Sequence, residues 1–154
     1  METASPSLTF ADAIKIVELR TKIVSTSSVL LGTAWAFFAA GAFDPLAFLL
    51  LAVSTFCVDL GTAGFNSYYD YRRGVDTIHT DVEQYKVLVQ RGVDPRIALW
   101  ISMGAFAVAA VFGLLLAAHV GWEVLLLGAV SMAVAYFYSG GPVPISSTPI
   151  GEVF

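Results

Sequence analysis

The sequence predicts an all-α integral membrane protein with four spanning helices, and three observations carry that prediction. Of 154 residues, 57% are hydrophobic and only 13% charged, about half the ~25% with which a soluble domain solvates its surface. The apolar residues gather into four runs, each close to the ~20 residues that cross a bilayer. All eight Lys and Arg residues fall in two segments, and two crossings between those segments put every cation on one side.

The elements follow in order. Residues 1–22 form an N-terminal segment with no basic start, so they do not read as a secretory signal. Within it, 10–19 predicts a short amphipathic helix on the membrane surface. The first span covers 23–41, and its Ser25, Thr26, Ser27 and Ser28 predict hydrogen bonds to neighbouring helices. Asp44-Pro45 and Asp94-Pro95 each place an N-cap acceptor before a proline at the first helical position, which starts the second span (45–66) and the third (96–118). The fourth runs over 122–139 and stops at Gly140-Gly141-Pro142. The turns at 41–45 and 119–122 hold no Lys or Arg. Cationic loops stay cytoplasmic, so the N-terminus and the 67–95 loop are expected there, in the cell membrane. His119, beside Trp122 and Glu123, reads as an interfacial anchor, and Trp35 and Trp100 as lipid-facing or packing residues.

Composition also excludes several classes. The hydrophobic content rules out intrinsic disorder, and a net charge of −4 gives no electrostatic footing for nucleic acid. A single cysteine, Cys57, allows neither an internal disulfide nor a multi-cysteine metal site.

The chemistry-bearing residues lie on and just after the second span. Asn66 and Asp70 are four apart and share a helix face. Asp59 lies two turns deeper on that face, about 10 Å lower at 1.5 Å per residue. Gly61 and Gly64 thin the helix beside them, and Gly74 permits a turn that brings Asp76 back towards Asp70. Asn66, Asp70 and Asp76 offer hard oxygen donors of the kind Mg²⁺ takes together with substrate phosphates. Arg72, Arg73, Lys86 and Arg91 in the same stretch suit phosphate oxygens. The plainer reading stays open beside this one: Asp59 pairs with a polar group on another helix, the loop acids are solvated, and the cations only set topology.

The run Asn66-Ser-Tyr-Tyr-Asp70-Tyr-Arg-Arg-Gly-Val-Asp76-Thr resembles the first aspartate-rich motif of the UbiA superfamily of intramembrane prenyltransferases. Within that family it looks most like the branch acting on 1,4-dihydroxy-2-naphthoate in menaquinone synthesis. A second block, Tyr138-Ser-Gly-Gly-Pro-Val-Pro-Ile145 followed by Gly151-Glu-Val-Phe154, resembles that branch's segment after its fourth helix. The resemblance implies a bundle of roughly nine spans around a central cavity, of which this chain matches the N-terminal half. It also implies Mg²⁺ and a polyprenyl diphosphate held between two aspartate-rich motifs. On this chain Asn66, Asp70 and Asp76 are the expected metal and catalytic residues. Arg72, Arg73, Lys86 and Arg91 are expected to bind the diphosphate. Tyr69 is expected to face the allylic cation or to join an aromatic belt, and Asp59 to orient the acceptor, act as a base or pack against a neighbouring helix.

Three departures from the family pattern stand out, the first being that the family's basic Gly-Pro-x-Arg stretch is not present as such, with Lys86 and Arg91 its nearest counterparts. Ser67 occupies a position where the branch carries Asp, and no second aspartate motif occurs before Phe154. The chain is therefore expected to be a fragment, or to work with a partner chain that supplies the other half. Two further readings complete the set: a four-span transport or assembly subunit that uses Asp59, and an inactive relative that binds no diphosphate.

Overall fold

The computed structural model describes residues 10–17, 22–74, 88 and 93–149. Among them every regular element is helical: α1 (Phe10–Ile16), α2 (Ile23–Ala40), α3 (Pro45–Arg73), α4 (Pro95–Val120) and α5 (Glu123–Ser139), then a 3₁₀ turn at Ile145–Ser147. Helices α2, α3 and α4 are long and apolar enough to cross a membrane, and α5 is a shorter apolar helix of 17 residues. The four predicted runs thus become four helices.

The caps act as the sequence predicts. Asp44 Oδ1 accepts from the N–H groups of Leu46 and Ala47, each at 3.0 Å, and Asp94 Oδ1 accepts from Arg96 N at 2.9 Å. Helix α3 outlasts the predicted span by about two turns, because nothing in 67–73 breaks it. It stops at Gly74, whose φ of +71° suits a residue without Cβ. Asn66 and Asp70 therefore sit on continuous helix.

Helices α3 and α4 form the centre of the bundle. Gly61 rests against the Phe106 ring and Gly64 against the Ser102 hydroxyl, and small residues let helix backbones approach closely in a membrane. Ser102 and Ala98 are wholly buried. Phe65 meets Phe106 and Tyr136 edge-on, with ring centres 5.0 and 5.3 Å apart. Ser54 reaches across to the Ala109 carbonyl at 3.1 Å. Gly64→Ala would push a methyl into the Ser102 hydroxyl and is expected to cost about 1–3 kcal/mol, readable as a lower unfolding midpoint in detergent.

Helix α2 contrasts with this centre, since none of its residues is buried. Trp35 is 69% exposed and Phe38 80%, as expected of side chains facing lipid. The predicted interhelical bonds need correction: only Ser25 makes one. Thr26, Ser27 and Ser28 turn back onto the carbonyls of Lys22, Ile23 and Val24 in their own chain, the four-residue back-bond open to any helical hydroxyl. Helix α1 does more than lie on a surface. Its Asp12 and Ile16 are buried, and Ile16 clusters with Leu88, Val93 and Ala98 beside Tyr68.

Candidate functional site

The two ends of the bundle differ in chemistry. At one end the start of α3 meets the end of α4, where His119 Nε2 lies 2.7 Å from Asp44 Oδ2. This brings the two cation-free turns together, as the four-span topology requires. Sequence reasoning missed this pair because 75 residues separate its members. The Ala47 N–H above all, then His119 and the Leu46 N–H, hold the Asp44 carboxyl below its ordinary 3.8. A lowered acid stabilises the fold above its unfolded pKa, and that contribution is lost as pH falls through the folded value. The melting-temperature gap between wild type and Asp44→Ala is therefore expected to be wide at neutral pH and to close in strong acid.

The opposite end gathers the last turns of α3, the end of α5 and the α1 segment. Asn66, Tyr69 and Asp70 are half-buried there, while Arg72 and Arg73 are exposed in the last turn. Cations at a helix C-terminus complement its partial negative charge. Ser139, the last residue of α5, donates to Asn66 Oδ1 at 2.9 Å. The Tyr69 and Tyr136 hydroxyls are 2.9 Å apart. Arg73 donates to the Ser139 carbonyl at 2.6 Å and the Gly141 carbonyl at 2.9 Å, with its guanidinium 5.2 Å from the Tyr69 ring centre. Arg72 stands 6.0 Å from the Tyr68 ring centre, within cation–π reach.

Ser67 explains its own departure from the family pattern. It is buried and donates to the Ile16 carbonyl at 3.1 Å. An ionised aspartate has no proton to donate and would confront that carbonyl with a second acceptor. Ser67 thus fastens α1 to α3.

Asp59 takes a separate course. Its Oδ1 receives the Lys22 ammonium at 3.0 Å and its Oδ2 the Ser25 hydroxyl, so it binds the start of α2 while Asn66 binds the end of α5. The Lys22 side chain is only 8% exposed. Sequence reasoning treated Lys22 as a topology signal alone and overlooked Ser139 and Tyr136. The one available clue was that an intramembrane acid needs a partner, and Lys22 and Ser25 together lie at a helix start.

Asp76, Lys86 and Arg91 lie outside the described residues. Among the described residues no three His, Cys, Asp or Glu side chains cluster closely enough to hold a metal. Among the described residues, the oxygen-bearing side chains at this end include the Asn66 amide and the Asp70 carboxylate, one turn apart on α3. A hydroxyl-fixed amide oxygen, a carboxylate and a helix C-terminus form a set that suits a hard divalent cation.

A helical membrane bundle with a polar, arginine-flanked mouth on its longest helix is the class that this geometry defines. Residues 29–154 match the model of the UbiA prenyltransferase family, and the chain belongs to that family. It is 38% identical over 126 residues to the 1,4-dihydroxy-2-naphthoate octaprenyltransferase of Bacillus subtilis (strain 168). The match covers 82% of this chain and 40% of the relative, so the chain spans about two fifths of that protein's length. No solved structure gives a significant match.

Proposed function

We propose that this chain forms one wall of a prenyltransferase cavity, in which a polyprenyl group passes from an allylic polyprenyl diphosphate to an aromatic acceptor. The acceptor is 1,4-dihydroxy-2-naphthoate or a close analogue, as in the relative's name. The observation that carries this reading is the α3 mouth, where Asn66 and Asp70 share one helix face and Arg72 and Arg73 follow at its end. Opposite charges interleaved on one helical turn suit an ion-plus-diphosphate headgroup better than either alone. A second acidic wall from further polypeptide, on the same or a partner chain, completes the cavity.

In this reading Asn66, Asp70 and Asp76 would hold Mg²⁺, which when bound would offset diphosphate charge and make it a better leaving group. Arg72, together with Lys86 and Arg91, would take phosphate oxygens. Arg73 anchors the mouth to α5 while its exposed edge adds positive charge. Departure of the diphosphate leaves an allylic cation, which the electron-rich acceptor ring attacks; the new carbon–carbon bond replaces the bond to the acceptor's carboxylate, which leaves as carbon dioxide as its electron pair restores the aromatic ring. The Tyr69 ring, held by Tyr136 and by Arg73, would stabilise that cation through its face. The mouth and the N-terminus face the cytoplasm, where the cationic segments remain. Asp59 serves structure through Lys22 rather than ion transport.

The test uses membranes carrying this chain together with the polypeptide that supplies the second wall, a labelled polyprenyl diphosphate and 1,4-dihydroxy-2-naphthoate. Prenylated naphthoquinol is expected with Mg²⁺ and is expected to vanish with EDTA and return on adding Mg²⁺. Retained EDTA-insensitive product would exclude the ion, and no product from any aromatic acceptor would exclude the transfer.

A further inference from the structure

We propose that Ser139 is a positioning residue whose hydroxyl holds the Asn66 amide in the orientation that serves a divalent cation. The proposal rests on the reading of Asn66 as an ion ligand.

Several hydroxyls on the described helices return to their own helix: Ser27, Thr62 and Ser102 each donate to the carbonyl four residues back. Ser139 is wholly buried and instead reaches across to Asn66 Oδ1 at 2.9 Å. Its backbone is fixed from the same side, because Arg73 Nη1 donates to its carbonyl at 2.6 Å and Nη2 to that of Gly141 at 2.9 Å. Asn66 and Arg73 are seven residues apart, so α3 grips the end of α5 at two points two turns apart. Gly140 belongs to this arrangement, since a Cβ there would lie 2.8 Å from the Tyr136 carbonyl.

The physical need is plain. An asparagine χ2 is broad and roughly two-fold, so an unrestrained amide presents its oxygen to an ion only part of the time. A carbonyl oxygen has two lone pairs. The Ser139 hydroxyl engages one of them and leaves the other for a cation. Partners that orient metal ligands in this way are typically worth about 10–100-fold in metal affinity.

The experiment measures Mn²⁺ binding by the purified chain in lipid nanodiscs, from loss of the free-ion electron paramagnetic resonance signal. Ser139→Ala is expected to weaken binding about tenfold and Asn66→Ala at least as much. Ser102→Ala, which removes another wholly buried hydroxyl away from the mouth, is expected to leave it within about twofold, far short of the effect of losing an orienting partner. Melting curves of all three variants report folding. Weaker binding in Asn66→Ala with wild-type binding in Ser139→Ala overturns the positioning role and spares the ion site. Equal losses in Ser139→Ala and Ser102→Ala assign the effect to general loosening and also overturn it. A wild-type chain that takes up no Mn²⁺, or an Asn66→Ala variant that binds as wild type does, removes the ion site itself.

Discussion

Asp70→Asn is expected to reduce prenyl transfer by on the order of 10²–10³-fold at saturating Mg²⁺, measured as labelled naphthoquinol formed by membranes carrying an active form of the protein. The substitution keeps the shape of the side chain and removes its charge, so α3 should persist through Gly74 with its caps intact. What it withdraws is the carboxyl group one turn from Asn66 on the same face of α3. Excess Mg²⁺ should recover part of the lost rate if the defect is in ion affinity. Unchanged turnover would remove Asp70 from the site and leave the mouth a structural joint between α3 and α5.

The second large effect concerns stability. Lys22→Ala leaves Asp59 with the Ser25 hydroxyl but no countercharge, and Asp59→Ala leaves a Lys side chain that is 8% exposed without its carboxylate. Breaking a fully buried pair from one side typically costs about 3–5 kcal/mol, and this pair, with the Asp59 side chain 26% exposed, is expected to cost part of that. Each single variant is therefore expected to unfold at a clearly lower denaturant concentration in detergent. Replacing both at once, by Lys22→Met and Asp59→Leu, is expected to restore most of the loss, because no isolated charge remains. Helix α2 has no buried residue of its own, so this pair bears much of the attachment of α2 to the bundle. If all three variants unfold with the wild type, the pair contributes nothing to stability.

How far such features can be read from sequence depends on their range. The four helices were legible because each is announced locally: an apolar run for the span, Asp44-Pro45 and Asp94-Pro95 for the starts, and Gly140 for a stop. Asn66 and Asp70 were legible as neighbours because four residues make one helical turn. The close approach of α3 and α4 was foreshadowed by Gly61 and Gly64. The family was legible in two short blocks. Contacts between helices were another matter. Lys22 and Asp59 are 37 residues apart, and Asn66 and Ser139 are 73 apart. No periodicity links such positions, and their pairing depends on how far one helix overshoots its neighbour. Ser67 shows the same limit. Its departure from the family's acid looked like a lost ligand, and only the nearby Ile16 carbonyl gives it a constructive reason.

The grip of α3 on the end of α5 sets an order on biogenesis. The ribosome completes the Asn66–Arg73 stretch long before it reaches Ser139 and Gly141, so the amide and guanidinium wait without their eventual partners while two more segments are threaded into the lipid. The mouth acquires its final shape only when the last of those segments has left the insertion machinery. A nascent chain halted before that point has every acid and base of the motif and lacks the bracing that α5 supplies.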